Sequence, residues 1–386
     1  MRMLRVKYNK LFVTDNTKIA CIHRQIGRVI MELKGKKVMV VGTGISGIGA
    51  IDLLNKAGAD CIIYDANEKL TEEAVAKKLN GNKAQIIIGE LADDITEKVE
   101  LLVISPGVPV DSPLVKKFEE AGVPVWGEIE LAYNYDKGRI IAITGTNGKT
   151  TTTTLVGEIM KAYNDKTFVV GNIGIPYTSL SDQSSADSVT VAEISSFQLE
   201  TIHTFRPHVS AILNITPDHL NRHYTFENYA NCKLDITKNQ TKEDYAVMNY
   251  DDPETVKRID KVPATVILFS HKKELESGVI VKDGAVVIRE NGKETYVMPL
   301  SEFQLLGDHN IENLLAAVAI SYYMGADIAT IRKVCGAFKG VAHRIEYVRT
   351  LNDVNYYNDS KGTNPDAAIK GIQAMNRPTL LIGGGY

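Results

Sequence analysis

From Lys37 onward, short runs rich in Val and Ile alternate with longer stretches of helical character. This alternation is typical of βαβ units, in which helices join parallel strands, so it restricts the chain to a mostly parallel α/β architecture. A length of 386 residues exceeds one ordinary core. We therefore predict an α/β protein with more than one domain.

The strands fall into two series that separate near Asp136. The first predicts a Rossmann-like domain over 31–138, with strands at 38–41, 61–64, 86–88, 101–104 and 123–126. The second predicts a central domain over 139–340, with strands at 139–143, 168–170, 189–192, 209–213 and 245–248 and helices at 310–324 and 329–338. A hairpin over 279–288, turned by Asp283-Gly284, predicts an antiparallel flap on this domain.

Residues 341–386 predict a strand pair around Asn352, a helix over 365–375 and a strand over 379–382. This segment is too short to fold alone, so we expect the beginning of an incomplete third domain. Residues 1–30 carry seven Lys or Arg against one Asp and lack the features of a signal peptide. We interpret them as an extension ahead of a true start at Met31.

Composition excludes several classes of function. The 44 Lys and Arg nearly balance the 47 Asp and Glu, which argues against nucleic acid or a membrane surface as a partner. No run approaches the roughly 18 apolar residues of a spanning helix. The four cysteines form no CxxC pair, so neither a zinc ribbon nor a disulfide framework is indicated. We expect small-molecule substrates and a cytoplasmic protein.

The strongest local signal is an apolar strand followed by Thr144-Gly-Thr-Asn-Gly-Lys-Thr150, here called the phosphate loop, and then by a helix. Backbone N–H groups at such a helix start bind phosphate oxygens, Lys149 would reach the transferred phosphate, and Thr150 would offer its hydroxyl to magnesium. Only two residues separate the glycines, against four in the general motif. We predict an ATP site formed by Gly145, Thr146, Asn147, Gly148, Lys149, Thr150 and Thr151.

Two further features suggest metal ligands. Glu193 ends a predicted strand, where an acid of a P-loop domain usually meets magnesium. His219 and His223 stand four residues apart, a spacing that could offer both imidazoles to a metal. No further ligand group supports zinc, so a core or surface histidine is an equal alternative.

The first predicted domain opens with Gly42-Thr-Gly44-Ile-Ser-Gly47, here called the glycine turn, and Asp65 ends the next strand eighteen residues later. This spacing fits a dinucleotide fingerprint. The same turn binds any pyrophosphate at a helix N-terminus, and a dehydrogenase needs no phosphate loop in its next domain. NAD and a nucleotide-diphosphate substrate are both open at this point.

The phosphate loop, the run Gly171-Asn-Ile-Gly174 and the run Glu193-Ile-Ser-Ser-Phe-Gln-Leu-Glu200 together make the chain resemble the Mur ligases over about residues 33–385. The compact glycine spacing is the one this family uses, and the last run is similar to that of its D-glutamate-adding branch. The resemblance implies a UDP-binding Rossmann-like domain, a central P-loop ATPase domain and a C-terminal Rossmann-like domain that is truncated here. We expect a monomer.

The resemblance also implies roles for individual residues. UDP would contact Gly44, Ile45, Ser46, Gly47, Asp65, Ser105, Pro106 and Gly107. The substrate or metal would contact Asn172, Ser195 and His219, and two magnesium ions would be held by Thr150, Glu193, His219 and a carbamylated Lys233. The adenine side of ATP would meet Asn310 and Asn313, and the hinge and third domain would add Arg344, Asp359, Lys361 and Thr363.

The implied reaction belongs to peptidoglycan precursor synthesis. ATP phosphorylates the carboxylate of UDP-N-acetylmuramoyl-L-alanine, and the amine of D-glutamate attacks the acyl phosphate while magnesium and Lys149 stabilise the charge. Closure of the third domain would exclude water. The family grips D-glutamate with residues that would lie beyond Tyr386, so we expect this chain to ligate weakly.

Four alternatives stay open. Another Mur ligase shares the UDP domain and the phosphate loop, but the run from Glu193 to Glu200 argues against it. A ligase similar to folylpolyglutamate synthase needs no uridine-binding domain. An NAD-dependent oxidoreductase explains residues 38–65 and nothing after 139. A non-catalytic nucleotide-binding module is the least specific alternative.

Overall fold

A parallel five-stranded sheet and a mixed nine-stranded sheet form the framework of the protein, followed by a two-stranded ladder. The structure is a computed structural model that describes residues 30–362 and 365–384. The N-terminal extension expected over residues 1–30 lies outside the described residues apart from Ile30, and so does Thr363. The two main sheets correspond to the two predicted series of strands.

The first sheet has the order β3-β2-β1-β4-β5 and is parallel throughout. Its strands are β1 (Lys37–Val41), β2 (Asp60–Asp65), β3 (Gln85–Ile88), β4 (Leu101–Ile104) and β5 (Val125–Gly127). Its helices are α1 (Ile45–Lys56), α2 (Glu72–Leu79), α3 (Asp93–Thr96), α4 (Pro113–Glu120) and α5 (Glu128–Tyr135). Because the chain leaves β1 toward β3 and returns to β4 on the other side, β1 and β4 flank a topological switch point, where α/β sheets bind ligands.

The second sheet has the order β14-β13-β12-β11-β10-β9-β6-β8-β7. Its strands are β6 (Arg139–Thr144), β7 (Thr167–Gly171), β8 (Val189–Glu193), β9 (Val209–Ile212), β10 (Tyr245–Asn249), β11 (Thr265–Ser270), β12 (Gly278–Lys282), β13 (Ala285–Glu290) and β14 (Lys293–Pro299). Its helices are α6 (Lys149–Tyr163), α7 (Ser196–Leu199), α8 (Leu220–His223), α9 (Phe226–Leu234), α10 (Pro253–Val256), α11 (Asp308–Tyr323) and α12 (Ile328–Ala337). Strand β6 lies between β8 and β9, so the loops after these three strands meet at one edge.

The predicted hairpin exists as β12 and β13, but its description as a flap is wrong. Strand β12 pairs in parallel with β11 through Phe269–Val279 and Ser270–Ile280, so β12, β13 and β14 extend the central sheet. The reason is burial: Val279, Ile280 and Val286 are fully buried, and a separate flap would expose them.

Helix α11 forms the centre of the core on one face of the second sheet. All seven residues from Leu314 to Ile320 are fully buried, and α6 and α12 pack beside the helix. A helix that is apolar on every side belongs in an interior, which fixes α11 between sheet and neighbours. Its N-terminus is thereby held against the phosphate loop.

The last described segment contains β15 (Glu346–Leu351), β16 (Val354–Asn358) and α13 (Pro365–Gln373). The predicted strand pair and helix are confirmed, and Asn352 and Asp353 form the turn with φ of 50° and 61°. The predicted strand over 379–382 is wrong: these residues are irregular, and Ile382 is 90% exposed. A strand needs a hydrogen-bonded neighbour, and the described part of the chain supplies none for this segment.

Among the described helices, none combines the length and the apolar character that crossing a membrane requires.

Candidate active site

The phosphate loop connects β6 to α6 at the edge where β6, β8 and β9 end. Gly148 caps α6 with φ 84°, in the left-handed region that favours glycine. A Cβ on Gly148 would lie 2.2 Å from Asn313 Oδ1, so the N-terminus of α11 closes against the loop. The two helix N-termini thus frame one site for an anionic ligand.

Residues after β9 hold the phosphate loop in shape. The Asn147 N–H donates to Asn214 Oδ1 at 2.8 Å, and Asn214 Nδ2 donates to Asn147 O at 3.0 Å. The Thr146 hydroxyl lies 3.0 Å from both Thr216 O and the Tyr229 hydroxyl. The prediction missed Asn214, Thr216 and Tyr229, although Asn214 directly follows a strand beside β6, where polar loop residues meet.

Two lysines, the half-buried Lys149 and the buried Lys233, share one acceptor in the phosphate loop. Lys149 Nζ donates to the carbonyl oxygens of Gly145 and Thr146, both at 2.9 Å, and Lys233 Nζ donates to Gly145 O at 2.9 Å. Burial lowers the pKa of Lys149, against the opposing charges of Glu193 and Asp218. Burial, followed by the neighbouring Lys149 charge, lowers the pKa of Lys233 well below its ordinary value.

The environment of Lys233 could not be inferred from its residue type. The side chain is 2% exposed, and its Nζ lies 4.6 Å from the centre of the Tyr229 ring. The sequence suggests an ordinary lysine on α9, and only the family resemblance singles it out. The structure brings it to the phosphate loop beside Lys149.

Glu193 and Asn172 lie together beside the phosphate loop. Asn172 Nδ2 donates to Glu193 Oε1 at 3.0 Å, and the Asn172 N–H donates to Glu193 O at 2.9 Å. Glu193 is 1% exposed, and its Oε2 has no hydrogen-bond partner among the described residues. A buried carboxylate oxygen without a partner is costly, so it fits a site for a cation.

The structure separates His219 from His223. His219 is half exposed, with Nε2 3.7 Å from Asp218 Oδ2 and its ring 4.9 Å from the Phe197 ring. His223 is buried, bonds Ser196 Oγ at 2.9 Å, and has its pKa lowered chiefly by burial. The hypothesis that both imidazoles bind one metal is wrong, because the His223 ring is buried in the core and is hydrogen-bonded to Ser196 there. His219 stays available to a ligand.

A cleft opens beside the phosphate loop and is called the central cleft. It brings together these predicted residues: Asn147, Gly148, Thr151, Asn310, Asn313, Arg344 and Asp359. Its walls also contain residues that were not predicted: Asn214, His309, Glu312, Ile345, Ala367 and Lys370. His309 and Glu312 flank the predicted asparagines on α11, which is the signal that could have found them. Lys361 is outside the lining set, and its backbone N–H donates to His343 O.

The asparagines of α11 couple this cleft to the phosphate-loop helix. Asn313 Oδ1 accepts from the Thr152 hydroxyl, and Asn313 Nδ2 donates to Asn310 Oδ1, both at 3.2 Å. Asn310 Nδ2 donates to Leu306 O at 2.7 Å. These bonds orient both amides beside the space a nucleotide base would need.

The glycine turn and Ser105 face each other across the switch point of the first sheet. A Cβ on Gly42 would lie 2.6 Å from Ser105 Oγ, and one on Gly47 would lie 1.9 Å from Gly42 O. Ser105 Oγ is buried without a hydrogen-bond partner in the described chain. The crevice therefore offers a hydroxyl and a helix N-terminus to a polar ligand.

Asp65 supports the glycine turn from within. Its Oδ2 accepts from Thr43 N–H and hydroxyl at 3.1 and 2.8 Å, and its Oδ1 accepts from Asn67 N–H at 3.0 Å. Partial burial alone would raise the pKa of Asp65, but these hydrogen bonds and Lys78 outweigh it and lower that pKa. In a dinucleotide-binding fold the acid at this position would accept a hydrogen bond from a ribose hydroxyl. Here both carboxylate oxygens of Asp65 already accept hydrogen bonds from Thr43 and Asn67.

Ser195 also has an internal role. Its hydroxyl accepts from Gln198 N–H at 3.3 Å while Gln198 Oε1 accepts from Ser195 N–H at 3.0 Å, forming a capping box on α7. Further along the same run, Glu200 accepts from Arg222 at 2.6 Å, and Arg222 donates to Val108 O at 2.7 Å. The run 193–200 therefore links the two main sheets.

Comparison with known families gives two matches. The model of the Mur ligase middle domain matches residues 143–321, and that of the Mur ligase MurD-like N-terminal domain matches residues 36–127. Both matches cover the segments that carry the phosphate loop and the glycine turn.

Curated relatives resemble most of the chain. The UDP-N-acetylmuramoylalanine--D-glutamate ligase of Lachnospira eligens is 59% identical over 357 residues, which are 92% of this chain and 79% of the relative. The enzymes with this name from Lachnoclostridium phytofermentans and Thermoanaerobacter sp. are 55% and 47% identical, covering 92% of this chain and 79% and 78% of their own.

Solved structures share the fold. The murein peptide ligase Mpl of Psychrobacter arcticus matches with a TM-score of 0.57 at 18% identity, covering 88% of this chain and 75% of that one. The UDP-N-acetylmuramate-alanine ligase MurC of Thermotoga maritima matches with a TM-score of 0.52 at 22% identity, covering 88% and 77%.

Proposed function

This chain belongs to the Mur ligase family, and from that premise we propose that it joins D-glutamate to UDP-N-acetylmuramoyl-L-alanine while ATP becomes ADP and phosphate. The product is a peptidoglycan precursor. The observation that carries the proposal is the phosphate loop, where Lys149 and Lys233 both contact Gly145 O. Beside it, Glu193 Oε2 is buried and has no hydrogen-bond partner in the described part of the chain.

We assign two ligand positions. The uridine diphosphate lies at the switch point of the first sheet, contacting Gly44, Ile45, Ser46, Gly47, Ser105, Pro106 and Gly107, with Asp65 shaping the turn. ATP lies in the central cleft, with its base near Asn310 and Asn313 and its phosphates on the N–H groups at the start of α6. Asn172, Ser195 and His219 lie on the substrate side, and Arg344, Asp359, Lys361 and Thr363 belong to the hinge side.

The reaction has two steps. A carboxylate oxygen of the UDP-linked substrate forms a bond to the γ-phosphorus as the bond to ADP breaks, giving an acyl phosphate. The D-glutamate amine then attacks the carbonyl carbon, loses a proton and expels phosphate. Lys149 provides positive charge near the transferred phosphoryl group once its ammonium turns from the loop carbonyls to the phosphate oxygens.

Magnesium fits the hydroxyl and carboxylate oxygens of this site, to which His219 adds one imidazole nitrogen. We assign two ions to Thr150, Glu193, His219 and carbamylated Lys233, on the basis of the buried Glu193 Oε2. When bound, magnesium neutralises the phosphate charge and helps the phosphoryl group transfer.

Carbamylation of Lys233 is favoured by its surroundings. A lowered pKa leaves a neutral amine, which can attack carbon dioxide, form an N–C bond and release a proton. The product is an anion beside Lys149, so a neutral amine is replaced by a group of opposite charge to the Lys149 ammonium. The modification thus forms an ion pair at the phosphate loop.

The assignment extends to the whole chain. We place the UDP domain at 31–138, the ATP domain at 139–340 and a C-terminal domain segment at 341–386. We assign the reaction to the cytoplasm. We assign the acting form to a monomer, because one chain carries the residues assigned above.

Incorporation of labelled D-glutamate tests the proposal. The chain is incubated with ATP, magnesium and UDP-N-acetylmuramoyl-L-alanine, and label in UDP-linked product is measured by chromatography, with L-glutamate and L-alanine as controls. We expect labelled product from D-glutamate alone. Preferential incorporation of L-alanine, or failure to bind the UDP-linked substrate, would contradict the proposal.

A further inference from the structure

A second group of ligand-type side chains lies where β10 and β11 end against the N-terminal part of α11. It consists of Asp251, His271 and Glu312, called the His271 cluster, whose ligand atoms all lie within 4.8 Å of one another. We propose that the His271 cluster binds a divalent transition-metal ion such as Zn²⁺. None of these residues belongs to the magnesium site assigned above.

Two spacings within the cluster, both measured from His271 Nδ1, are close to those between ligands around an ion. His271 Nδ1 lies 3.6 Å from Asp251 Oδ2 and 3.8 Å from Glu312 Oε1. Both distances are too long for hydrogen bonds. They are near the separation of about 3.4 Å between neighbouring ligands that each lie roughly 2.1 Å from a tetrahedral zinc ion. His271 Nδ1 is buried and has no hydrogen-bond partner among the residues described.

Surrounding groups hold both carboxylates in position. Asp251 accepts from Ser270 Oγ at 2.7 Å and from the N–H groups of His271 and Lys272 at 2.8 and 3.2 Å. Glu312 Oε2 accepts from Asn249 Nδ2 at 3.2 Å, which leaves Oε1 on the His271 side. Such outer hydrogen bonds orient ligands and tune metal affinity.

Charge and donor type indicate the kind of ion. Asp251 and Glu312 are 2% and 18% exposed, so two carboxylates are placed close together away from water, and a cation would offset their repulsion. Magnesium prefers a shell made mostly of oxygens, whereas one imidazole nitrogen among only three protein ligands suits zinc, cobalt or manganese. Because Glu312 also lines the central cleft, water can complete the coordination from that side.

Cobalt provides a spectroscopic test that does not depend on ligase activity. The full chain is titrated with Co²⁺ and followed by visible absorption, and Zn²⁺ binding is measured by calorimetry. We compare wild type with His271→Gln, Glu312→Gln and the control Glu193→Gln, which removes the carboxylate of the magnesium site. The proposal predicts one tightly bound ion, held with similar affinity by wild type and Glu193→Gln whatever binds more weakly at the magnesium site. In His271→Gln and Glu312→Gln the affinity for this ion should be lower by at least about tenfold.

Thermal unfolding supplies a second readout. Zn²⁺ should raise the Tm of wild type and of Glu193→Gln, since a ligand that binds only the folded state stabilises it, and should raise that of the two cluster variants much less. Circular dichroism shows whether each variant is folded. Equal affinity in folded His271→Gln or Glu312→Gln, or loss of binding in Glu193→Gln alone, would overturn the proposal, as would absence of binding by wild type.

Discussion

Lys149 and Lys233 show at the residue scale how burial sets chemistry at the phosphate loop. Both ammonium groups contact Gly145 O, and burial lowers the pKa of each. Composition and spacing identified Lys149 because a loop motif surrounds it. They could not identify Lys233, since its burial results from the packing of α9 against the loop, which is a tertiary property.

The lowered pKa of Lys233 predicts a pH dependence of stability. At pH values between the lowered pKa of Lys233 in the folded protein and its unfolded pKa of roughly 10.4, the unfolded chain binds more protons than the folded one. The free energy of unfolding therefore increases with pH in this range because of Lys233. Urea unfolding of wild type and Lys233→Met, in buffers without carbon dioxide, should show the excess stability of the variant shrinking toward high pH. A pH-independent difference would contradict the lowered pKa.

Gly148 predicts a loss of nucleotide binding. In Gly148→Ala the alanine must adopt a φ of 84°, which is unfavourable for a residue with a side chain. Its Cβ would also lie only 2.2 Å from Asn313 Oδ1. The matched control is Gly284→Ala, with φ 74° and nothing within 4 Å of the added Cβ. We expect the control to cost about 1–2 kcal/mol of stability, and Gly148→Ala to cost more and to weaken ATP binding at least about tenfold. Calorimetry measures ATP binding, and equal affinity in the two variants would contradict the close contact.

At the scale of elements, continuous apolar runs made the parallel strands readable from the sequence. Strands such as β1 and β6 are buried on both faces, so they appear as unbroken Val and Ile runs. The sequence did not predict that β12 and β13 extend the central sheet. A hairpin has the same sequence pattern whether it forms a separate flap or adds strands to a sheet. The strand expected over 379–382 failed because the described chain supplies no neighbour, which apolar character alone does not reveal.

The capping box of α7 separates two roles for Ser195. Ser195→Ala should destabilise the protein by about 1 kcal/mol, and Thr225→Ala, which removes the cap of α9, should have a similar effect. If capping is the main role of Ser195, the KM for the UDP-linked substrate changes little in either variant. A KM raised tenfold in Ser195→Ala alone would show direct substrate contact instead.

At the scale of the whole molecule, Arg222 joins the two main sheets. Its guanidinium bonds Glu200 at 2.6 Å and Val108 O at 2.7 Å, with Arg222 and Glu200 only 13% and 11% exposed. The sequence places Glu200 at the end of the run 193–200 but does not predict its partner. The ion pair of Glu200 with Arg222 depends on how α8 packs against the loop after β4. Long-range contacts of this kind define the site and leave little trace in local patterns.

This ion pair predicts a non-additive cost. Arg222→Ala leaves Glu200 buried without its cation, which should cost about 3–5 kcal/mol of unfolding free energy. The double variant Arg222→Met with Glu200→Gln removes both charges and should be more stable than Arg222→Ala. Urea unfolding measures all three proteins, and additive losses would show that the charges do not stabilise one another.

Phosphate release from ATP tests whether the phosphate loop drives ligation to a UDP-linked acid. The assay compares wild type with Lys149→Ala, with and without UDP-N-acetylmuramoyl-L-alanine and D-glutamate. We expect release that requires both substrates and falls at least about a hundredfold in Lys149→Ala. Release that ignores the UDP-linked substrate, or that persists in Lys149→Ala, would contradict it.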